Sequence, residues 1–318
     1  MAANREALDA LIRAEARAPN DAPGCDALLA AIRARARRPG GIAAVLFYGS
    51  GLWQGLREDQ VQDFYVLVHR LRDFDPRPLP VVLGRVLPPN VYYLETAAQG
   101  RTLRAKCAVM TLDAFTAAAA GRAATPQVWA RFAQPCRLVH AADAAAEARV
   151  LAALGDAVVS LHRKILPLLP AGLDPRGLWA WMLAETYARE LRSEGRTRAR
   201  TVFDAAPEAL TARSRAAVTL SATGAVLDGA DRLVQPARRG LRWRARALAP
   251  LARVGGKAVT LLRLMKASAT FEGGVDYILW KIERHSGVRV PVSDFARRHP
   301  LIGGWPVLIR LYRRGAFR

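Results

Sequence analysis

The sequence predicts an α+β protein. Apolar runs of strand length, bounded by Gly and Pro, fall between residues 42 and 110, and after Thr111 the apolar spacing shifts to the 3.6-residue period of helices. A third observation sets the scale: 318 residues, 52% of them hydrophobic, suffice for a large core and for about two domains, which excludes wholesale disorder.

Taken in order, residues 3–18 and 25–38 read as amphipathic helices, parted by Asn20-Asp21-Ala22-Pro23-Gly24. Gly40-Gly41 ends the second. Ile42 to Tyr48 is a continuous apolar run of buried-strand type, broken by Gly49-Ser50-Gly51, and a second strand is expected at 61–68. Pro76, Pro78 and Pro80 mark a connection. Strand-like stretches at 90–95 and 102–110 flank a turn at Gln99-Gly100. Helical periodicity is strong at 143–164 and 176–192, breaks near Pro207 and returns. Between Pro236 and Arg263 stand eight basic residues and no acidic one. A last helix is expected at 267–286, followed by a basic tail to Arg318 that Pro and Gly interrupt.

Charge narrows the partners. Lys and Arg number 48 against 27 acids, a net +21 with a pI near 11.2, so the surface will seek polyanions such as nucleotide phosphates, nucleic acid or acidic lipid. Only Lys106, Lys164, Lys257, Lys266 and Lys281 are lysine. A high-GC coding sequence accounts for part of the Arg and Ala excess, and it singles out each retained Lys as a compact point charge. Cys25, Cys107 and Cys136 are too scattered for a disulfide framework or a zinc site. No apolar run reaches the roughly 18 residues of a membrane span. Acids among the first forty residues argue against a transit peptide. A cytoplasmic bacterial protein, peripheral on the inner face of the cell membrane, is the expectation.

One constellation carries chemistry. Gly49-Ser50 leaves the first strand, and after a spacer of twelve residues Asp63 stands on the second. A Gly-Ser turn there offers backbone N–H groups and a hydroxyl to an anion, while a carboxylate on the neighbouring strand can hold Mg²⁺ against the same phosphates. This layout resembles the DNA polymerase beta-like nucleotidyltransferases. Their second strand carries Asp-x-Asp, whereas this chain reads Asp63-Phe64-Tyr65, so a second carboxylate must come from elsewhere.

That deficit is shared by one lineage, the mitochondrial-type phosphatidate cytidylyltransferases, the family of the mitochondrial translocator assembly and maintenance protein. Phe47-Tyr48-Gly49-Ser50-Gly51-Leu52-Trp53 resembles their Tyr-Gly-Ser-Gly-Val-Phe, and Asp63-Phe64-Tyr65-Val66 their single-Asp strand. Pro89 to Tyr93 with Leu103-Arg104-Ala105-Lys106-Cys107-Ala108-Val109 is similar to their hairpin and its Lys-bearing strand. Trp129 to Pro135 falls where the family has a helix ending in Lys-Pro. Thr186-Tyr187-Ala188-Arg189-Glu190-Leu191-Arg192 resembles Ser-Tyr-Ala-Gly-Asp-Ile-Arg, and Leu264-Met265-Lys266-Ala267-Ser268 resembles Ile-Ser-Lys-Ser-Ser. The matches run in order over residues 42–286.

The resemblance implies a nucleotidyltransferase domain with its N-terminal helices at 1–140, a winged-helix-like helical domain at 141–266, and a basic membrane-associating helix and tail at 267–318. It implies transfer of the cytidylyl group of CTP to phosphatidic acid. Gly49, Ser50 and Gly51 would cradle the triphosphate, Asp63 and Glu190 would hold Mg²⁺, and Lys106 and Lys266 would neutralise phosphate charge. Glu185 and Glu95 are rival second carboxylates. Cys107, Tyr48, Tyr65, Trp179 and Trp181 are expected to pack, and the histidines to have no role. The Arg-rich C-terminal region with Trp305, Tyr312 and Phe317 suits an anionic membrane surface, and no nucleic-acid partner is expected. Two other readings stay open: transfer to another acceptor, and a non-catalytic protein that binds nucleotides or membranes.

Overall fold

The computed structural model describes residues 1–19, 24–54, 60–98, 100–190 and 196–270. Helices α1 (Ala2–Arg17) and α2 (Cys25–Arg35) precede strand β1 (Ile42–Tyr48) and a single helical turn, α3 (Gly51–Gln54). Strand β2 (Val61–Val68), helices α4 (Leu71–Phe74) and α5 (Pro78–Val86), strands β3 (Asn90–Ala98) and β4 (Arg101–Thr111), and helix α6 (Leu112–Ala119) follow. After strand β5 (Cys136–Ala141) come helices α7 (Ala144–Ile165), α8 (Pro175–Tyr187), α9 (Arg196–Ala205) and α10 (Pro207–Leu220). A short ribbon of β6 (Val226–Leu227) and β7 (Leu233–Gln235) leads to the long helix α11 (Arg239–Thr270).

The protein is α+β, with a mixed five-stranded sheet in the order β3-β4-β2-β1-β5. β2 and β4 pair in parallel, and the other neighbours pair antiparallel. Both faces of the sheet are covered. Ala44, Leu46 and Tyr48 of β1, with Tyr65 and Leu67 of β2, pack against apolar side chains of α1, α6, α7, α8 and α10. The alternate residues Val45, Phe47, Phe64 and Val66 pack under α2, α4 and α5. Burial on both faces is why β1 reads as an uninterrupted apolar run. The first of these cores runs on without a break into the helices beyond residue 141.

Two long helices begin where a side-chain oxygen can accept an otherwise unpaired backbone N–H: Asp143 from Ala146 at 2.7 Å, and Asp174 from Gly177 at 2.7 Å. The structure departs from expectation at three places. β5 forms where only helix was expected, because Cys136–Ala141 pairs with β1 as a half-exposed edge strand that mixes polar and apolar residues. α8 stops at Tyr187, so Glu190 lies in the turn beyond it. α11, with Pro250 inside it, runs continuously across the expected boundary at residue 266. The expected segment from 271 to 318 lies outside the described residues.

Candidate functional site

Strand register assembles the first half of the site. Tyr48, the last residue of β1, pairs with Asp63, and Asp63 pairs across the parallel ladder with Lys106. Gly49 then turns the chain at φ +91°, a left-handed conformation that disfavours any side chain. The turn lies directly on the carboxylate: a Cβ on Gly49 would come 3.5 Å from Asp63 Oδ2. The Leu52 N–H donates to Gly49 O at 3.2 Å, closing the turn around Ser50. Gly51 is needed for close approach, since a Cβ there would stand 2.0 Å from Gln62 Oε1 and 2.8 Å from Phe47 Cζ. Lys106 Nζ is 3.8 Å from Asp63 Oδ1, a loose ion pair whose side chains are 40% and 36% exposed. Both groups are therefore partly exposed to solvent.

The second half comes from outside the sheet. Arg131, in helical turns that precede β5, stacks its guanidinium over the Tyr48 ring, 5.3 Å from the centroid, and donates to the Tyr65 hydroxyl at 3.4 Å. Burial pulls the Arg131 guanidinium down, but Tyr48, Tyr65, Glu190 and Asp63 together outweigh it and hold the group above its ordinary range. Asp63 and Glu190 thus act on one cation. Arg263, from α11, donates to Thr125 Oγ1 at 2.7 Å. Burial lowers it, Tyr65 and Glu190 support its charge, and Arg131 opposes it. Burial likewise raises the Tyr65 phenol. Gly256 lets α11 lie against the end of α8: a Cβ there would stand 2.2 Å from Arg189 O.

Three expected residues are placed differently from Asp63 and Glu190. Lys266 was expected on a phosphate. Its ammonium instead donates to Leu87 O and Pro89 O at 2.6 Å each and to Asn90 Oδ1 at 3.0 Å. Burial, with a smaller push from Arg263, lowers it to about 8. These contacts pin α11 to the loop before β3. Glu95 accepts from the Tyr93 hydroxyl at 2.6 Å and from Arg104 Nε at 3.0 Å, its cross-strand partner. Glu185 accepts from Arg253 Nη2 of α11 at 3.0 Å on each oxygen.

Residues expected to pack do so. Cys107 is fully buried and burial pushes its thiol up; Trp179 is buried with its indole donating to Leu210 O and Ser214 Oγ. His162 is buried between Val158 O and Ser214 Oγ. Sequence reasoning missed Arg131 and Arg263. One falls in the Trp129 to Pro135 match and the other in the basic run 236–263, but neither spacing marks it among so many arginines.

The donor chemistry fits a Mg²⁺ ion. Asp63 and Glu190 are hard oxygen donors, both partly open to solvent, and Mg²⁺ is commonly held by one or two carboxylates, with water and substrate phosphates completing its shell. Among the described residues no three His, Cys, Asp or Glu side chains gather as a metal cage. No family model matches this chain, and no curated protein matches it.

Proposed function

We propose that the chain is a phosphatidate cytidylyltransferase, making CDP-diacylglycerol and pyrophosphate from CTP and phosphatidic acid. The observation that carries this reading is the left-handed Gly49-Ser50 turn lying directly on Asp63, with Lys106 in register beside it. A backbone turn, a carboxylate and a cation, all partly exposed, suit a nucleoside triphosphate.

Gly49 and Ser50 bind the β and γ phosphates through backbone N–H groups and the hydroxyl. Asp63 and Glu190 would hold Mg²⁺, which when bound supplies charge neutralisation for the phosphates. Lys106 offsets negative charge that grows on the leaving group. A phosphate oxygen of the acceptor forms a bond to the α-phosphorus as the bond to the bridging oxygen breaks, and pyrophosphate leaves with the electron pair. Positioning and charge do the work here, as in other phosphoryl-type transfers. Lys266, committed to three carbonyl-type acceptors, takes no part.

A lipid acceptor is supported by α11. Trp243, Leu251 and Val254 are 74%, 70% and 68% exposed, among Arg239, Arg244, Arg246 and Lys257 and with no acid. Such a face suits the headgroup level of an anionic membrane. No helix among the described residues is long and apolar enough to cross one. Labelled CTP, Mg²⁺ and vesicles of phosphatidylcholine with phosphatidic acid test the reading with full-length protein. Labelled CDP-diacylglycerol with equimolar pyrophosphate is the expected result. Turnover only with an RNA or protein acceptor would replace phosphatidic acid, and vesicle binding without turnover would leave a non-catalytic protein.

A further inference from the structure

Arg131 and Arg263 come from separate elements and meet around Tyr65. Arg131 donates to the Tyr65 hydroxyl, and both guanidiniums feel Tyr65, Glu190 and each other. Glu190 offsets part of the repulsion between these two cations, but one carboxylate shared by two guanidiniums leaves the place net positive and receptive to a further anion. The Arg263 Nε is buried and has no hydrogen-bond partner among the described residues. A buried donor left unpaired is unfavourable, and this one lies beside the Arg131 guanidinium, where an anionic acceptor would satisfy it.

Position along β2 says which anion. The Gly49-Ser50 turn continues past Tyr48, on one side of the Asp63 pair, while Tyr65 pairs with Leu46 on the other side. Tyr65 is two residues from Asp63 on the same face, about 7 Å along a strand. In-line displacement needs the attacking oxygen and the leaving group on opposite sides of the phosphorus. With the triphosphate at the turn, the attacking phosphate belongs at Tyr65. We infer that Arg131 and Arg263, with the Thr125 hydroxyl, bind the phosphate monoester of the acceptor, an assignment that rests on the proposed transfer reaction.

The route is also on α11. Ala249, Gly256 and Arg263 recur every seven residues on its inner face, whereas Trp243, Val254 and Leu261 share the outer one. One helix therefore links a partly buried guanidinium to an exposed apolar surface. An amphiphilic phosphate can lie with its headgroup on Arg263 and its chains along that outer face.

Arg263→Gln and Arg263→Lys in the full-length protein test this, with KM measured separately for phosphatidic acid in phosphatidylcholine vesicles and for CTP. Arg263→Gln should raise KM for phosphatidic acid at least tenfold and leave KM for CTP within twofold, and Arg263→Lys should recover part of the loss. A rise in KM for CTP instead, or no change in either, would overturn the assignment. Arg131→Gln should act in the same direction, and its packing on two tyrosines requires a melting curve beside the kinetics. If wild-type protein shows no turnover, the transfer reading fails, and direct titration decides the site alone. Binding of glycerol 3-phosphate or phosphatidate that Arg263→Gln weakens tenfold would keep a phosphate monoester site, while binding equal in the variant, or none in wild type, would discard it. Comparing the two ligands separates a lipid from a soluble source.

Discussion

Gly49, at the end of β1, and Asp63 and Lys106 are held by three adjacent strands that stay in register at the site, whereas Glu190, Arg131 and Arg263 arrive from a turn, a segment of helical turns and a long helix. In the strand-borne half, each residue's position follows from its neighbours on the ladder. In the helix-borne half it follows from how α11 sits on the end of α8, through Gly256 against Arg189 and Arg253 against Glu185. The first half is fixed by local pairing and the second by packing at a distance. Substitutions should therefore disturb them in different ways.

The largest expected effect is chemical. Asp63→Asn should lower kcat at least a hundredfold, about 3 kcal/mol of barrier, with the melting temperature unchanged because the side chain is partly open to solvent. Glu190→Gln should approach the same loss if the two halves meet on one ion. Single-turnover kinetics with labelled CTP checks both. A kcat above about a tenth of wild type for Asp63→Asn, roughly 1.4 kcal/mol, would remove Asp63 from the site.

The same contrast explains what the sequence made legible. β1 and β2 could be read because strands buried on both faces need continuous apolar runs, and the pairing then places Asp63 beside the Gly49 turn and Lys106. β5 could not, because Arg137 and His140 blur the apolar pattern of an edge strand whose role depends on β1. The boundary expected at residue 266 is absent, because α11 continues through it to Thr270 while Gly256 packs on Arg189 and Lys266 on the loop before β3. Arg131 and Arg263 were invisible for another reason. With 43 of 48 basic residues being arginine, residue type carried no information, and only the fold distinguishes two that meet at Tyr65. Lys266 shows the converse: its rarity as a lysine pointed to phosphate, but its depth in the structure makes it a strut.

A second test acts on the helical half alone through pH. His162 donates from Nδ1 to Val158 O and accepts at Nε2 from the Ser214 hydroxyl, which in turn accepts from Trp179. Burial lowers its pKa to about 4, with the Val158 hydrogen bond a smaller opposing effect. Unfolded, the ring takes up a proton near its ordinary 6.5. Between those values the unfolded chain binds more protons, so this contribution is present above pH 6.5 and is lost as pH falls towards 4, in all about 3 kcal/mol. His162→Gln should cost stability at neutral pH and flatten the difference in urea midpoint across that window. Parallel pH curves for the two proteins would contradict the buried neutral ring.

Gly256→Val probes the joint between the halves. Its Cβ would collide with the backbone oxygen of Arg189, which cannot rotate away, so α11 must lift. Overpacking of this kind costs about 1–3 kcal/mol. The melting temperature should fall, and KM for phosphatidic acid should rise more than KM for CTP, since Arg263 rides on α11 while Gly49 and Ser50 do not. Equal changes in both constants would mean that the strand-borne half also depends on that joint.

The smallest expected effect is the most selective. Glu95 sits on β3, opposite Arg104, with its side chain 49% exposed. Exposed ion pairs contribute about 0–1 kcal/mol, and a glutamine in its place can still accept from the Tyr93 hydroxyl and from Arg104. Glu95→Gln should therefore leave kcat and both KM values within twofold and the melting temperature nearly unchanged. Measured beside Glu190→Gln, it decides which carboxylate joins Asp63. A severe loss for Glu95→Gln with a mild one for Glu190→Gln would place the whole metal site on the strands and make the helical half a matter of acceptor binding alone.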